Sequence, residues 1–249
     1  MSGALAKFAA GGSLKLNDEQ AASALRRSAG EGQTGGGGDL DYLSFSGKKG
    51  TYSLGRNKDD VDPEQVFIVE PMMAVEGWTC WKNGKPAKKH QWSIYDTDKA
   101  IPYSALEDLG PYNERAGEGW QQMMGMGLLD ADAPERQILF TITSVSGRNV
   151  FSDLQNEIAD QMENGDPHIP LISLDAEEFE AHGQTNSKPS IEVRAWVTRD
   201  EVAAFLADED ASIDDLIDGN VAVEEPEAEA EEPEEEPKPR KRARRRKAA

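Results

Sequence analysis

From Asp41 onward apolar and polar positions take turns, with Leu43 and Phe45 on one side and Tyr42, Ser44 and Ser46 on the other. A period of two marks a half-buried strand, and Gly47-Lys48-Lys49-Gly50 followed by Thr51-Tyr52-Ser53-Leu54 predicts a hairpin. Residues 66–70, 74–81 and 88–95 are rich in β-branched and aromatic side chains, and Asn83-Gly84 between the last two favours the tight turn of a hairpin. The stretch 43–95 therefore reads as an antiparallel meander. Between 102 and 134 the glycines and prolines (Gly110-Pro111, Gly117, Gly119, Gly125, Gly127) interrupt every period, which predicts a long excursion from the sheet. Long loops without a role are uncommon. A strand over 137–144 leads through Gly147 into a helix over about 149–163, with Val150, Leu154, Ile158 and Met162 on one face. Strands over 169–174 and 190–197 follow, then a short amphipathic piece over 199–206.

These elements predict a mainly β fold: a small Greek-key barrel of oligonucleotide-binding (OB-like) type, or a sandwich, with one late helix. The first forty residues read as a flexible arm, with a short helix over 14–28 before the linker at Gly35-Gly36-Gly37-Gly38. Residues 41–207 form the β-rich domain, and 208–249 a disordered tail.

Charge is distributed unevenly. From Asp200 to Glu236 there is no Lys or Arg, after which the chain closes on Lys238-Pro-Arg-Lys-Arg-Ala-Arg-Arg-Arg-Lys247. The segment from Glu224 holds nine Glu and eight Lys or Arg, so the net charge of −20 resides almost wholly in what precedes it. A Glu-Pro-Ala run has too little apolar surface to offset chain entropy and acts through its charge. The basic run after it is of the kind that holds phosphates by counterion release. A polyanion-like run beside a polycationic one points to nucleic-acid handling. An acidic chain still binds nucleic acid where its cations are gathered on one surface.

Such a gathering is visible. Lys48, Lys49, Arg56, Lys58, Lys82, Lys85, Lys88 and Lys89 all fall in the two predicted hairpins and their flanks, with Tyr52, Trp78, Trp81, Trp92 and Tyr95 among them. Aromatic rings beside lysines make a stacking platform for single strands. Core placement of Trp78 and Trp92, and a merely solvated tip for Lys82 and Lys85, are the competing readings. Trp78 and Trp81 are three apart and so face opposite sides of a regular strand. Ser144-Val145-Ser146-Gly147-Arg148-Asn149 offers a helix N-terminus, with Arg148 as a phosphate contact, although an ordinary turn capped by Asn149 or Ser152 is the simpler account.

Several classes are disfavoured. Three scattered histidines and the single Cys80 give no metal-ligand spacing, and no cofactor motif or nucleophile elbow occurs, so neither metal, cofactor nor catalysis is expected. No apolar run approaches a membrane span, and the first residues lack a secretory pattern, which assigns the chain to the cytoplasm.

The aromatic-lysine strands from Lys48 to Tyr95 and the acidic stretch after Asp200 resemble, in their order, the plan of phage-encoded single-stranded DNA-binding proteins. That resemblance implies a barrel that cradles single-stranded DNA through Lys48, Lys49, Tyr52, Trp78, Trp81 and Trp92. It also implies an acidic tail (Glu224, Glu225, Glu231, Glu232, Glu234, Glu235, Glu236) that recruits replication or recombination proteins or competes with DNA. A homo-oligomer is compatible with it, and it implies that the cytoplasm is that of a bacterial host cell. The continuation into Lys238 to Lys247 departs from that plan and suggests a second DNA contact. Two other classes stay open: a virion or assembly protein that packs through its charged tails, and a metal-dependent nuclease.

Overall fold

The computed structural model describes residues 41–221, apart from 56, 114–116, 134–135, 182 and 209. The N-terminal arm, Arg56 and the charged tail from 222 onward, including the Glu224 to Glu236 run, therefore lie outside the described residues. The chain is mainly β, as its alternation predicts. The strands are β1 (Asp41–Ser46), β2 (Thr51–Leu54), β3 (Asp59–Asp60), β4 (Phe67–Lys82), β5 (Lys85–Ser93), β6 (Gly119–Asp130), β7 (Gln137–Ile142), β8 (Ile169–Ala181) and β9 (Gln184–Val197). Helix α1 (Val145–Asn164) precedes β8, while α2 (Arg199–Ala207) and α3 (Ile213–Ile217) follow β9. The described fold thus continues past 207: Leu216 of α3 is buried against α2 and β9, inside the stretch assigned from sequence to the tail.

Along the sheet the order is β3-β2-β1-β7-β6-β4-β8-β9, with β5 paired to β4. The meander expected over 43–95 is not formed. Its two hairpins are present, but β1 lies parallel to β7, and β7 and β6 separate the β1–β2 hairpin from β4. Residues 67–70 and 74–81 belong to a single strand, β4. Its register with β6 shifts between Glu70 and Val75, around Pro71, which has no N–H to give to a ladder. One edge of β4 follows β6 throughout. The other pairs first with β8 at Phe67 and Ile68, then with β5 from Val75 to Lys82. A second irregularity, between Cys80 and Trp81, leaves Ala87 of β5 without an opposite residue.

The excursion predicted over 102–134 ends sooner than its composition suggests, because 119–130 is the central strand β6. Its glycines answer close packing, not a turn: a Cβ on Gly127 would meet Met73 Cβ at 2.3 Å, and one on Gly125 would meet Val75 Cγ2 and Thr141 Cγ2 at 2.8 Å. A strand buried on both faces carries no polar alternation, and in β6 Gly125 and Gly127 break up the continuous apolar run that would otherwise mark it.

The sheet curls until its ends approach. Ser187 N–H in β9 donates to Gly47 O in the β1–β2 turn at 2.8 Å, and Tyr52 Oη in β2 donates to Asp175 O in β8 at 2.7 Å. Helix α1 fills the concave side with Phe151, Leu154, Ile158 and Met162, packed on Leu43, Phe67, Phe140 and Ile172. Ser144 caps it by accepting from Gly147 N–H at 3.3 Å, so the helix starts before the Asn149 or Ser152 cap read from sequence; it stops at Gly165, φ 75°. The convex side holds a second core, where Ile68, Leu129, Leu171 and Val197 meet Val202, Phe205 and Leu206 of α2. Consecutive apolar residues such as Phe67 and Ile68 therefore serve different cores. Glu70 is buried on β4 and paired bidentately with Arg199 at the start of α2, at 2.7 and 2.9 Å.

Candidate functional site

The β4–β5 hairpin separates its side chains by side. Toward one side point Trp78, Cys80 and Lys82 of β4 with Lys88 and His90 of β5, and the segment 97–113 covers them. Trp78 Nε1 donates to Ile101 O at 2.9 Å, Lys82 Nζ to Leu109 O at 2.8 Å, and Cys80 Sγ lies 4.0 Å from Tyr112 Oη. Lys88 is ion-paired with Glu107, and the His90 ring stacks on Trp120 at 5.3 Å. Part of the long segment thus serves the structure itself, since it occupies cations and rings that the sequence offered as a binding surface.

Toward the other side point Thr79, Trp81, Pro86 and Lys89, which form one wall of a groove of about 840 Å³. Tyr42, Ser44 and Phe45 of β1, with Gly47 and Lys48 of the following turn, form a second wall. The floor continues through Thr141, Ile142 and Thr143 of β7 to Ser144 and Ser146 at the start of α1, and Phe179, Asn186 and Ser187 of the β8–β9 hairpin complete it. Tyr42 and Phe179 keep 44% and 38% of their surface exposed, which is unusual for large rings on a sheet unless something covers them.

Among the described residues no carboxylate lines this groove, in a chain with forty-seven Asp and Glu against twenty-seven Lys and Arg. Lys89 is the half-buried cation of the site. Its ammonium lies 5.0 Å from the Tyr42 ring centre, a cation–π contact, and burial pushes its pKa down to about 8. Lys48 stands exposed on the rim.

The remaining sequence candidates are dispersed. Tyr52 is buried, with its hydroxyl on the Asp175 carbonyl, and burial raises its pKa above the usual phenol value. Trp92 is 2% exposed and belongs to the interior. Neither presents a face to a base, which corrects their assignment as stacking residues; both lie on the core-facing positions of their strands. Arg148 Nη1 donates to Thr143 O at 2.6 Å and Gln122 O at 3.1 Å, fastening α1 to the end of β7 and to β6, so this nitrogen is engaged by backbone carbonyls. Lys49 and Lys85 are exposed at turn tips, and Lys58 Nζ donates to Ser44 Oγ at 2.9 Å. Of the predicted residues, Lys48, Trp81 and Lys89 meet at the groove.

Tyr42, Phe45 and Phe179 were missed. Tyr42 alternates outward with serines, where only its ring size marks it. Phe179 is a lone aromatic in Glu177-Glu178-Phe179-Glu180, and that contrast is the signal sequence reading had available. Among the described residues no group of three or more His, Cys, Asp or Glu is placed to hold a metal ion, and no helix is long and apolar enough to cross a membrane. No protein-family model, no curated protein and no solved structure matches this chain.

Proposed function

We propose that this chain binds single-stranded DNA in the groove between the β4–β5 hairpin, β1 and the β8–β9 hairpin, and acts by coating or annealing strands in phage-type replication or recombination. The observation that carries this reading is the composition of the groove: three kinds of aromatic ring, two lysines, a floor of hydroxyls and, among the described residues, no carboxylate, on a strongly acidic chain. Rings give each base a face to stack on, for about 1–3 kcal/mol per base, without selecting its identity. The lysines attract the backbone, and freedom from carboxylates keeps local repulsion from cancelling that attraction. A duplex hides its base faces and offers this groove only its phosphates, so single strands are preferred.

Fluorescence anisotropy of a labelled dT oligomer, set beside a duplex of equal length at two salt concentrations, tests the proposal. The expected result is tighter binding of the single strand, weakened by salt. Equal affinity for both forms, or no binding to the oligomer, refutes it.

A further inference from the structure

We infer that Lys89 holds one backbone phosphate of the bound strand, with the adjoining base on Trp81, and that loss of its proton releases the strand. This rests on the single-strand reading of the groove and assigns its register. The lysines of the β4–β5 hairpin differ in what they meet. Lys82 is held by the Leu109 and Gly110 carbonyls and Lys88 by Glu107, while Lys85 is exposed near the tip. Lys89 is half-buried in a wall whose described residues include no carboxylate, and it meets the Tyr42 ring. An ammonium withdrawn from water against a ring face is unfavourable in the free protein, and an arriving phosphate supplies the missing charge and acceptors.

The register follows from strand geometry. Lys89 is opposite Thr79, and Trp81 is two residues beyond Thr79 on the same side of β4. In a regular ladder such diagonal neighbours lie about 7–8 Å apart; here the spare Ala87 intervenes on β5 between Lys88, opposite Cys80, and Pro86, opposite Trp81, and Trp81 and Lys89 still line the same groove.

Among the described residues the other ionisable side chains lining the groove are Tyr42 on β1 and Lys48 on the β1–β2 turn, with Lys58 reaching the wall at Ser44 Oγ and Arg148 held behind the floor on Thr143 O; β7, the start of α1 and the β8–β9 hairpin otherwise contribute Thr, Ser, Asn, Ile and Phe. Lys88 and His90, beside Lys89 in sequence, face Glu107 and Trp120. With the Lys89 pKa near 8, its charged share falls from most molecules at pH 7 to a minority at pH 9. Binding that requires the charge weakens about tenfold over that interval.

The test is anisotropy of the dT oligomer with full-length protein from pH 7 to 9 at fixed ionic strength, for the wild type, Lys89→Arg, Lys89→Ala and Lys48→Ala. The inference expects about a tenfold fall for the wild type and Lys48→Ala, a flat profile for Lys89→Arg, and weak, flat binding for Lys89→Ala. Circular dichroism establishes that each variant is folded, and Lys89→Arg keeps the test decisive if Lys89→Ala is not. A wild type that binds with a flat profile, or a Lys89→Arg profile that still falls, overturns the role of Lys89 and leaves the groove reading standing. A wild type that binds no oligomer at any pH overturns both.

Discussion

Trp81 and Trp92 belong to the same hairpin and separate binding from stability. Trp81 is half-buried in the groove wall, whereas Trp92 is 2% exposed in the interior. Truncating Trp81 to Ala removes the ring on which a base stacks, a loss of about 1–3 kcal/mol. At about 1.4 kcal/mol per decade, that weakens dT-oligomer binding roughly 5- to 150-fold. Because the lost interaction is uncharged, the slope of log affinity against log salt stays at its wild-type value. Trp92→Ala instead empties a core site and costs about 3–5 kcal/mol of folding stability. The assays are anisotropy across a salt series, and urea unfolding for the stability of each variant. Trp92→Ala should bind normally wherever it is folded. A folded Trp81→Ala variant with wild-type affinity, or a folded Trp92→Ala variant that loses binding while Trp81→Ala does not, would show that the strand is not read at this groove.

Three further outcomes follow from the packing. Removing either partner of the Glu70–Arg199 pair, by Glu70→Ala or Arg199→Ala, takes the counter-charge from a buried or half-buried group and should cost about 3–5 kcal/mol in urea unfolding, with the Glu70→Ala/Arg199→Ala double variant losing less than the sum. In Gly77→Ala the new Cβ would meet His90 O at 2.1 Å and Gln91 Cα at 2.9 Å, both backbone atoms; the β4–β5 ladder must part, and amide exchange in 85–93 should accelerate. Unchanged exchange there would contradict this. Arg148→Ala should lower stability by about 1–3 kcal/mol through its lost carbonyl contacts while leaving the salt slope of DNA binding as in the wild type; a shallower slope would restore Arg148 as a phosphate ligand.

What the sequence discloses follows the range of the interactions that decide it. The Asn83-Gly84 turn has positive φ at both residues, 52° and 70°, as a tight hairpin turn requires, and its signal is local. The apolar stripe of α1 is local as well, and only its start is misplaced: Phe151, not Val150, enters the core, and Ser144 and Gly147 do the capping one turn earlier. Strand β6 is hidden because its small residues answer Met73, Val75 and Thr141 on neighbouring strands, none of which adjoins it in sequence. The parallel pairing of β1 with β7 joins residues nearly a hundred positions apart, and no local pattern reports that. The groove suffers most. Tyr42, Lys89 and Phe179 come from three separate hairpins, so sequence proximity groups Trp81 and Lys89, which do line one groove, together with Tyr52 and Trp92, which share the region but not the face.

The unmatched Ala87 gives the hairpin two independent settings. The Asn-Gly turn fixes how the tip closes, while Glu107 on Lys88 and Trp120 on His90 fix which β5 side chains face the covered side; these two demands disagree by one position, and the spare residue absorbs the difference. Shortening the chain by Ala87 should therefore regularise the ladder and leave Lys88 and Lys89 on their present sides. The same deletion made between Lys88 and Ser93 has no such slack and would turn the strand over, handing the groove its neighbour's side chains.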